Sequence, residues 1–95
     1  MKKSFTFYCD PGHGWLKVSK SDCNFLGLSA IDFSRYSYQE NQKSGLQFYL
    51  EEDCDARIFL DKFKAVYGHG ASIREKYTEK TRIRDMAHIP GNLNT

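Results

Sequence analysis

SFTFYCDPGHGWLKV, residues 4 to 18, carries two alternating runs on either side of a turn. Its first six residues alternate: Phe5, Phe7 and Cys9 fall on one side of an extended chain, Thr6 and Tyr8 on the other. DPGHG then carries turn chemistry, with Pro11 fixing φ after Asp10 and Gly12 and Gly14 open to positive φ. WLKV resumes the extended pattern, Leu16 and Val18 sharing a face. The stretch predicts a hairpin of residues 4–9 and 15–18, and a hairpin with an apolar face needs a layer to cover it.

The cover is written further on. Ala56, Phe59, Leu60, Phe63, Val66 and Tyr67 recur at helical spacing, while Arg57, Asp61, Lys62 and Lys64 fall on the other side. Asp53 is the expected N-cap, Asp55 sits where the helix dipole favours a carboxylate, and Gly68 and Gly70 end the run. Between hairpin and helix, SKSDCNFLG (residues 19–27) reads as a short helix capped by Ser19, with Asp22 as a capping-box partner and Gly27 as its stop; Cys23, Phe25 and Leu26 are its inward residues. FSRYSYQ (33–39) reads as a strand, ENQKSG (40–45) as a loop, and LQFYL (46–50) as its hairpin partner. ASIREKYT (71–78) gives a last strand, with Ala71, Ile73 and Tyr77 on one face and Arg74 and Lys76 on the other. The order is β-β-α-β-β-α-β, which predicts an α+β fold: a small, mostly antiparallel sheet packed by one main amphipathic helix. Residues 1–78 form the expected single domain, and residues 79–95 a polar C-terminal tail, ordered in part at most, in which Ile83 and Met86 are spaced for one helical turn.

Ninety-five residues suit one domain, and seven Phe, six Tyr and one Trp supply enough ring area to pack a small core. A formal charge of +2 names no polyanionic partner by itself. The three cysteines cannot all pair within one chain, SFTFYCD reaches charge too soon for a signal-peptide core, and no run has membrane-spanning length; a cytoplasmic chain with reduced thiols, not associated with a membrane, is expected.

Three chemistries compete for the remaining features. EEDCD could draw a divalent cation, but it lacks the ligand spacing of a calcium loop, and helix capping accounts for Asp53 and Asp55. That leaves Glu51 and Glu52 as exposed charges for a basic partner; with Tyr36, Tyr38 and Tyr49 they make a candidate protein-binding surface. Arg35, Tyr36, Tyr38, Arg74 and Lys76 could instead stack and neutralise a single strand of nucleic acid. His13 and His69 are the histidines a metal site would use, yet no tight pair of ligands accompanies either, so no metal or other cofactor is expected. Cys54 is a poor nucleophile, since Glu52, Asp53 and Asp55 disfavour its thiolate. An exposed edge strand would also permit a homodimer by sheet extension.

Two resemblances bear on this reading. DPGHG resembles the DxGHG motif of the zinc-dependent N-acetylmuramoyl-L-alanine amidases, which implies His13 as a first zinc ligand of a hydrolase; the likeness spans five residues, runs directly into a strand, and is read as coincidental. CDPGHGWLKV, YSYQ and YLEEDCDA together resemble a group of small proteins encoded on bacteriophages, plasmids and neighbouring bacterial genes, over residues 5 to about 77. That resemblance assigns no residue a role. It implies an accessory protein of mobile DNA that engages a host or phage protein, including as an inhibitor of a defence system.

Overall fold

Six strands form one sheet in the order β5-β1-β2-β4-β3-β6, in a computed structural model that describes residues 3–90. Strands β1 (Ser4–Cys9) and β2 (Gly14–Ser19) are the expected hairpin, pairing Thr6 with Lys17 and Tyr8 with Trp15. Its turn differs in mechanism from the sequence reading. Neither Gly12 nor Gly14 has positive φ. The Asp10 carboxylate makes the bend by accepting from the Gly12 and His13 N–H groups at 3.1 and 3.0 Å. Gly14 is required by close approach instead: a Cβ there would lie 2.3 Å from Cζ of Phe7.

Helix α1 (Lys20–Phe25) is capped by Ser19, whose hydroxyl accepts from the Asp22 N–H, and ends at Gly27 with φ of 76°. The Asp22 carboxylate turns to Lys3 rather than back to its cap. Phe25, expected inward, is exposed and stacks on Tyr67.

The predicted strand at 33–39 begins later. Strand β3 is Tyr38–Gln42, and the expected loop shrinks to Lys43 and Ser44 before β4 (Gly45–Glu51). The cause is Asp55. Its buried carboxylate accepts from the Ser34 N–H, the Ser34 hydroxyl and the Ser37 hydroxyl, folding residues 34–37 into a turn.

Helix α2 (Asp55–Tyr67) ends at Gly68 in the left-handed conformation, its N–H bonded to the Lys64 carbonyl. Cys54, not Asp53, holds the N-cap position and makes no side-chain cap bond. Ala56, Phe59 and Phe63 face the sheet and are buried; Val66, expected in the stripe, is exposed. Phe5 meets Phe59 and Phe63 edge-on at 5.2 and 5.7 Å, over a floor of Leu16, Val18, Phe48 and Leu50. Each such fully buried side chain contributes roughly 1.5–3 kcal/mol. The helix carries the chain to the far edge, where β5 (Ser72–Tyr77) pairs in parallel with β1 and leaves Ile73 and Tyr77 largely exposed.

The chain after β5 is built into the fold as far as residue 90. Residues 78–86, with a 3-10 turn at Arg82–Asp85, cross the sheet face opposite the helices as a strap. Ile83 packs there with Trp15 and Tyr49. Strand β6 (Ala87–His88) then pairs with Tyr38 and Gln39, and Ile89 enters the helix-side core. Residues 91–95 lie outside the described part. No helix is long and apolar enough to cross a membrane among the described residues.

Candidate functional site

Alternation sends side chains from four strands to the strap side: Tyr8 from β1, Trp15 and Lys17 from β2, Tyr49 and Glu51 from β4, and Tyr38, Glu40 and Gln42 from β3. The strap is too narrow to cover them all. A cavity of about 420 Å³ stays open at the end where Trp15 pairs with Glu51, and another of about 430 Å³ lies toward Lys17 and Gln42.

The first cavity collects side chains from four segments. His13 and Trp15 come from the hairpin turn and the start of β2, Tyr36 and Tyr38 from the turn that Asp55 holds and the start of β3, Glu51 and Asp53 from the β4–α2 corner, and Arg84 and His88 from the strap and β6. Arg84 ties the strap to the hairpin turn at this end. Its guanidinium donates to both oxygens of Asp10, at 2.9 and 2.8 Å, and lies 5.3 Å from the Trp15 ring centroid. Those bonds, with the two turn N–H groups, hold the Asp10 carboxyl well below the usual carboxylate range. The charge of Arg84 is thus satisfied within the protein. Tyr38 meets Trp15 at 6.2 Å and His88 at 4.4 Å, while His88 Nδ1 contacts the Arg35 carbonyl.

Glu51 is fixed from both sides. Its backbone N–H donates to the Ser37 hydroxyl at 2.8 Å, and that hydroxyl donates onward to Asp55. Its carboxylate accepts from the Asp53 and Cys54 N–H groups at 2.9 and 3.2 Å. Burial, together with the Asp53 carboxylate beside it, pushes the Glu51 carboxyl up from its ordinary value. The site therefore presents two carboxylates, Glu51 half-buried and Asp53 exposed, beside exposed Tyr36, half-buried Tyr38 and two imidazoles, with Trp15 buried behind them under Arg84.

The residues that the sequence singles out are divided by this arrangement in a way the linear order conceals. Glu51, Tyr36 and Tyr38 come together in the first cavity. Glu52 is exposed on the other side, in a groove with Phe7, Leu16 and Ala56, so Glu51 and Glu52 do not form one acidic face. Tyr49 is buried under the strap, its hydroxyl held by Gln42. Arg35, Tyr36 and Tyr38 lie near the β3 edge, whereas Arg74 and Lys76 lie on β5 at the opposite edge, with the strap between. His13 lines the first cavity; His69 packs on Phe63 and Tyr67 in the helix layer. The two are on opposite sides of the sheet, and no group of three or more His, Cys, Asp or Glu side chains suited to a metal occurs among the described residues.

Sequence reasoning misses Trp15, Arg84 and His88. Trp15 is legible from alternation, since Leu16 and Val18 claim the other face. Arg84 and His88 carry no signal inside a segment that reads as polar tail. The chain matches no family model, no curated protein and no solved structure.

Proposed function

We propose that the chain is a non-enzymatic protein-binding module that captures a cationic side chain, lysine or arginine, of a partner in the cavity between Trp15, Tyr38 and Glu51. One observation carries the reading: two carboxylates, Glu51 and Asp53, share a concave site with exposed Tyr36 and with Trp15 and Tyr38, while the resident Arg84 is already paired with Asp10. Accessible aromatic faces and neighbouring carboxylates are the two features that bind a cation in preference to an anion or a neutral group. Catalysis has less support. Neither His13 nor His88 hydrogen-bonds a hydroxyl, thiol or carboxylate among the described residues, so no base is aligned on a nucleophile. The resemblance to proteins of phages and plasmids suits such a module, with a host or phage protein as the partner and inhibition of a defence system as one outcome of capture.

Trp15 is the sole tryptophan, so its emission reports on this end of the strap face. Titration with short lysine- or arginine-containing peptides is expected to shift it saturably, and glutamate-containing peptides to leave it unchanged. Glu51→Gln should weaken capture by about tenfold, the loss of one charge-assisted contact, without altering the thermal midpoint by much. Because a bound cation favours the Glu51 carboxylate, affinity should fall as pH drops through the raised Glu51 value, in a site that also contains Asp53, Arg84, His13 and His88. Equal response to basic and acidic peptides ends the proposal.

The single-strand nucleic-acid reading has less support, because its residues are divided: Arg35, Tyr36 and Tyr38 lie near the β3 edge, Arg74 and Lys76 on β5 at the other.

A further inference from the structure

The second cavity on the strap side has the opposite electrostatic character. Lys17, Lys76, Lys80 and Arg82 line it, and no carboxylate does. Arg82 is bridged to Glu40, but the ammonium groups of Lys17, Lys76 and Lys80 have no ion-pair partner among the described residues. Lys76 and Lys80 are exposed and Lys17 lies within electrostatic reach of Glu40, so the four cations outnumber the one nearby carboxylate and the concavity favours an anion. The floor is apolar and partly aromatic, formed by Tyr8, Tyr49, Ile83 and Met86. Thr81, also in the lining, is 8% exposed, and its hydroxyl oxygen has no hydrogen-bond partner, as is true of Thr78. A buried hydroxyl without a partner is costly, and rotation about the Thr81 Cα–Cβ bond toward a ligand oxygen would remove that cost.

We infer that this cavity binds a phosphate ester carried on a planar body, with a nucleoside monophosphate as the type. The lysines take the phosphate, the Thr81 hydroxyl donates to one of its oxygens, and the ring system lies against Tyr8 and Met86. At about 430 Å³ the cavity falls in the range of small-molecule sites and suits one nucleotide rather than a longer strand. Two sources present this chemistry, a free mononucleotide and the phosphorylated end of an oligonucleotide. The site shares no acidic residue with the cation cavity and stands or falls apart from it.

Calorimetric titration of the full chain with adenosine monophosphate is the test. Saturable binding is expected, weakening as salt is added, with adenosine and inorganic phosphate each binding more weakly by about tenfold or more. The double variant Lys17→Ala, Lys80→Ala should lower affinity by on the order of a hundredfold, since it removes two charge-assisted hydrogen bonds to the phosphate. Thr81→Val should lower it by about fivefold while leaving the thermal midpoint unchanged or raised, since an orphan hydroxyl has been removed. Glu51→Gln, in the other cavity, should leave nucleotide affinity unchanged. A 5′-phosphorylated tetranucleotide that binds more tightly than the monophosphate makes the chain end the ligand; equal or weaker binding makes it the free nucleotide. Absence of saturable heat with the monophosphate, or an affinity untouched by the lysine double variant or by Thr81→Val, overturns the assignment.

Discussion

The two faces of the sheet are covered by different materials. On one, a thirteen-residue helix lays Ala56, Phe59 and Phe63 over Phe5, Leu16, Phe48 and Leu50, and the layer is filled with hydrocarbon and rings. On the other, a strap buries one apolar side chain of its own, Ile83, against Trp15 and Tyr49, and is tied at either side by ion pairs, Arg82 with Glu40 and Arg84 with Asp10. A helix is broad enough to fill the space above a sheet; a strap is not, and the two cavities described above lie beside it. Most of the buried apolar surface therefore lies on the helix face, and the two cavities with converging charged side chains lie on the strap face.

That division is most easily broken on the helix side. Phe59 is fully buried and touches rings on two elements, so Phe59→Ala should cost about 3–5 kcal/mol, much of the stability of an ordinary small domain. Ile83→Ala removes the single buried apolar anchor of the strap and should cost about 2 kcal/mol, the low end for such a change, because the strap can settle into the space. Denaturant unfolding of both variants measures the difference. Only Ile83→Ala should also shift the native-state emission of Trp15 to longer wavelength. A strap variant as damaging as the helix variant would show that the two faces share the load.

The helix face is readable from the chain because its signals are local and periodic. Alternation in β1 and β2, the spacing of Phe59 and Phe63, and Gly68 at the helix end act within a few residues. The strap face is not readable, for the converse reason. Arg84 is 74 residues from Asp10, and Arg82 is 42 from Glu40, so neither partner announces the other. Residues 33–37 mislead for the same cause: RYSY has strand composition, but a carboxylate 18 residues on from Ser37 bends it into a turn. The candidate site shares both fates. Glu51, Tyr36 and Tyr38 stand out by residue type, whereas the strap that closes the site around them has the composition of a loose end.

Ion pairs make the strap answer to pH in a way the helix face does not. Arg84 holds the Asp10 carboxyl well below its usual range, and Arg82, aided by Gln42, holds that of Glu40 at about 2. Both carboxyls are lowered in the folded state. Their contribution is complete above the unfolded value near 4, and is lost as pH falls through the folded values. Acid should therefore loosen the strap, and Trp15 emission should respond below about pH 4. Arg84→Met, which keeps a long apolar arm over Trp15 without the charge, should abolish the part of that response due to Asp10. Emission that stays flat down to the global unfolding transition would remove the ion pairs from the account of the strap.

The smallest effect isolates burial from charge. Arg57 and Asp61 also pair, one turn apart on α2, at 3.8 Å, with side chains 80% and 76% exposed. Asp10, by contrast, keeps only 3% of its side-chain surface in water and has bonds to two backbone N–H groups besides its arginine. Water screens the first pair and competes for each partner, so Arg57→Ala should change stability by no more than about 0.5 kcal/mol. Arg84→Ala should cost more, because it leaves a desolvated carboxylate with its chief partner gone. Chemical denaturation at low and high salt compares the two. If they proved equal, the strap would be held by nothing that an exposed helix pair lacks, and desolvation of Asp10 could not be what keeps the site closed around Trp15.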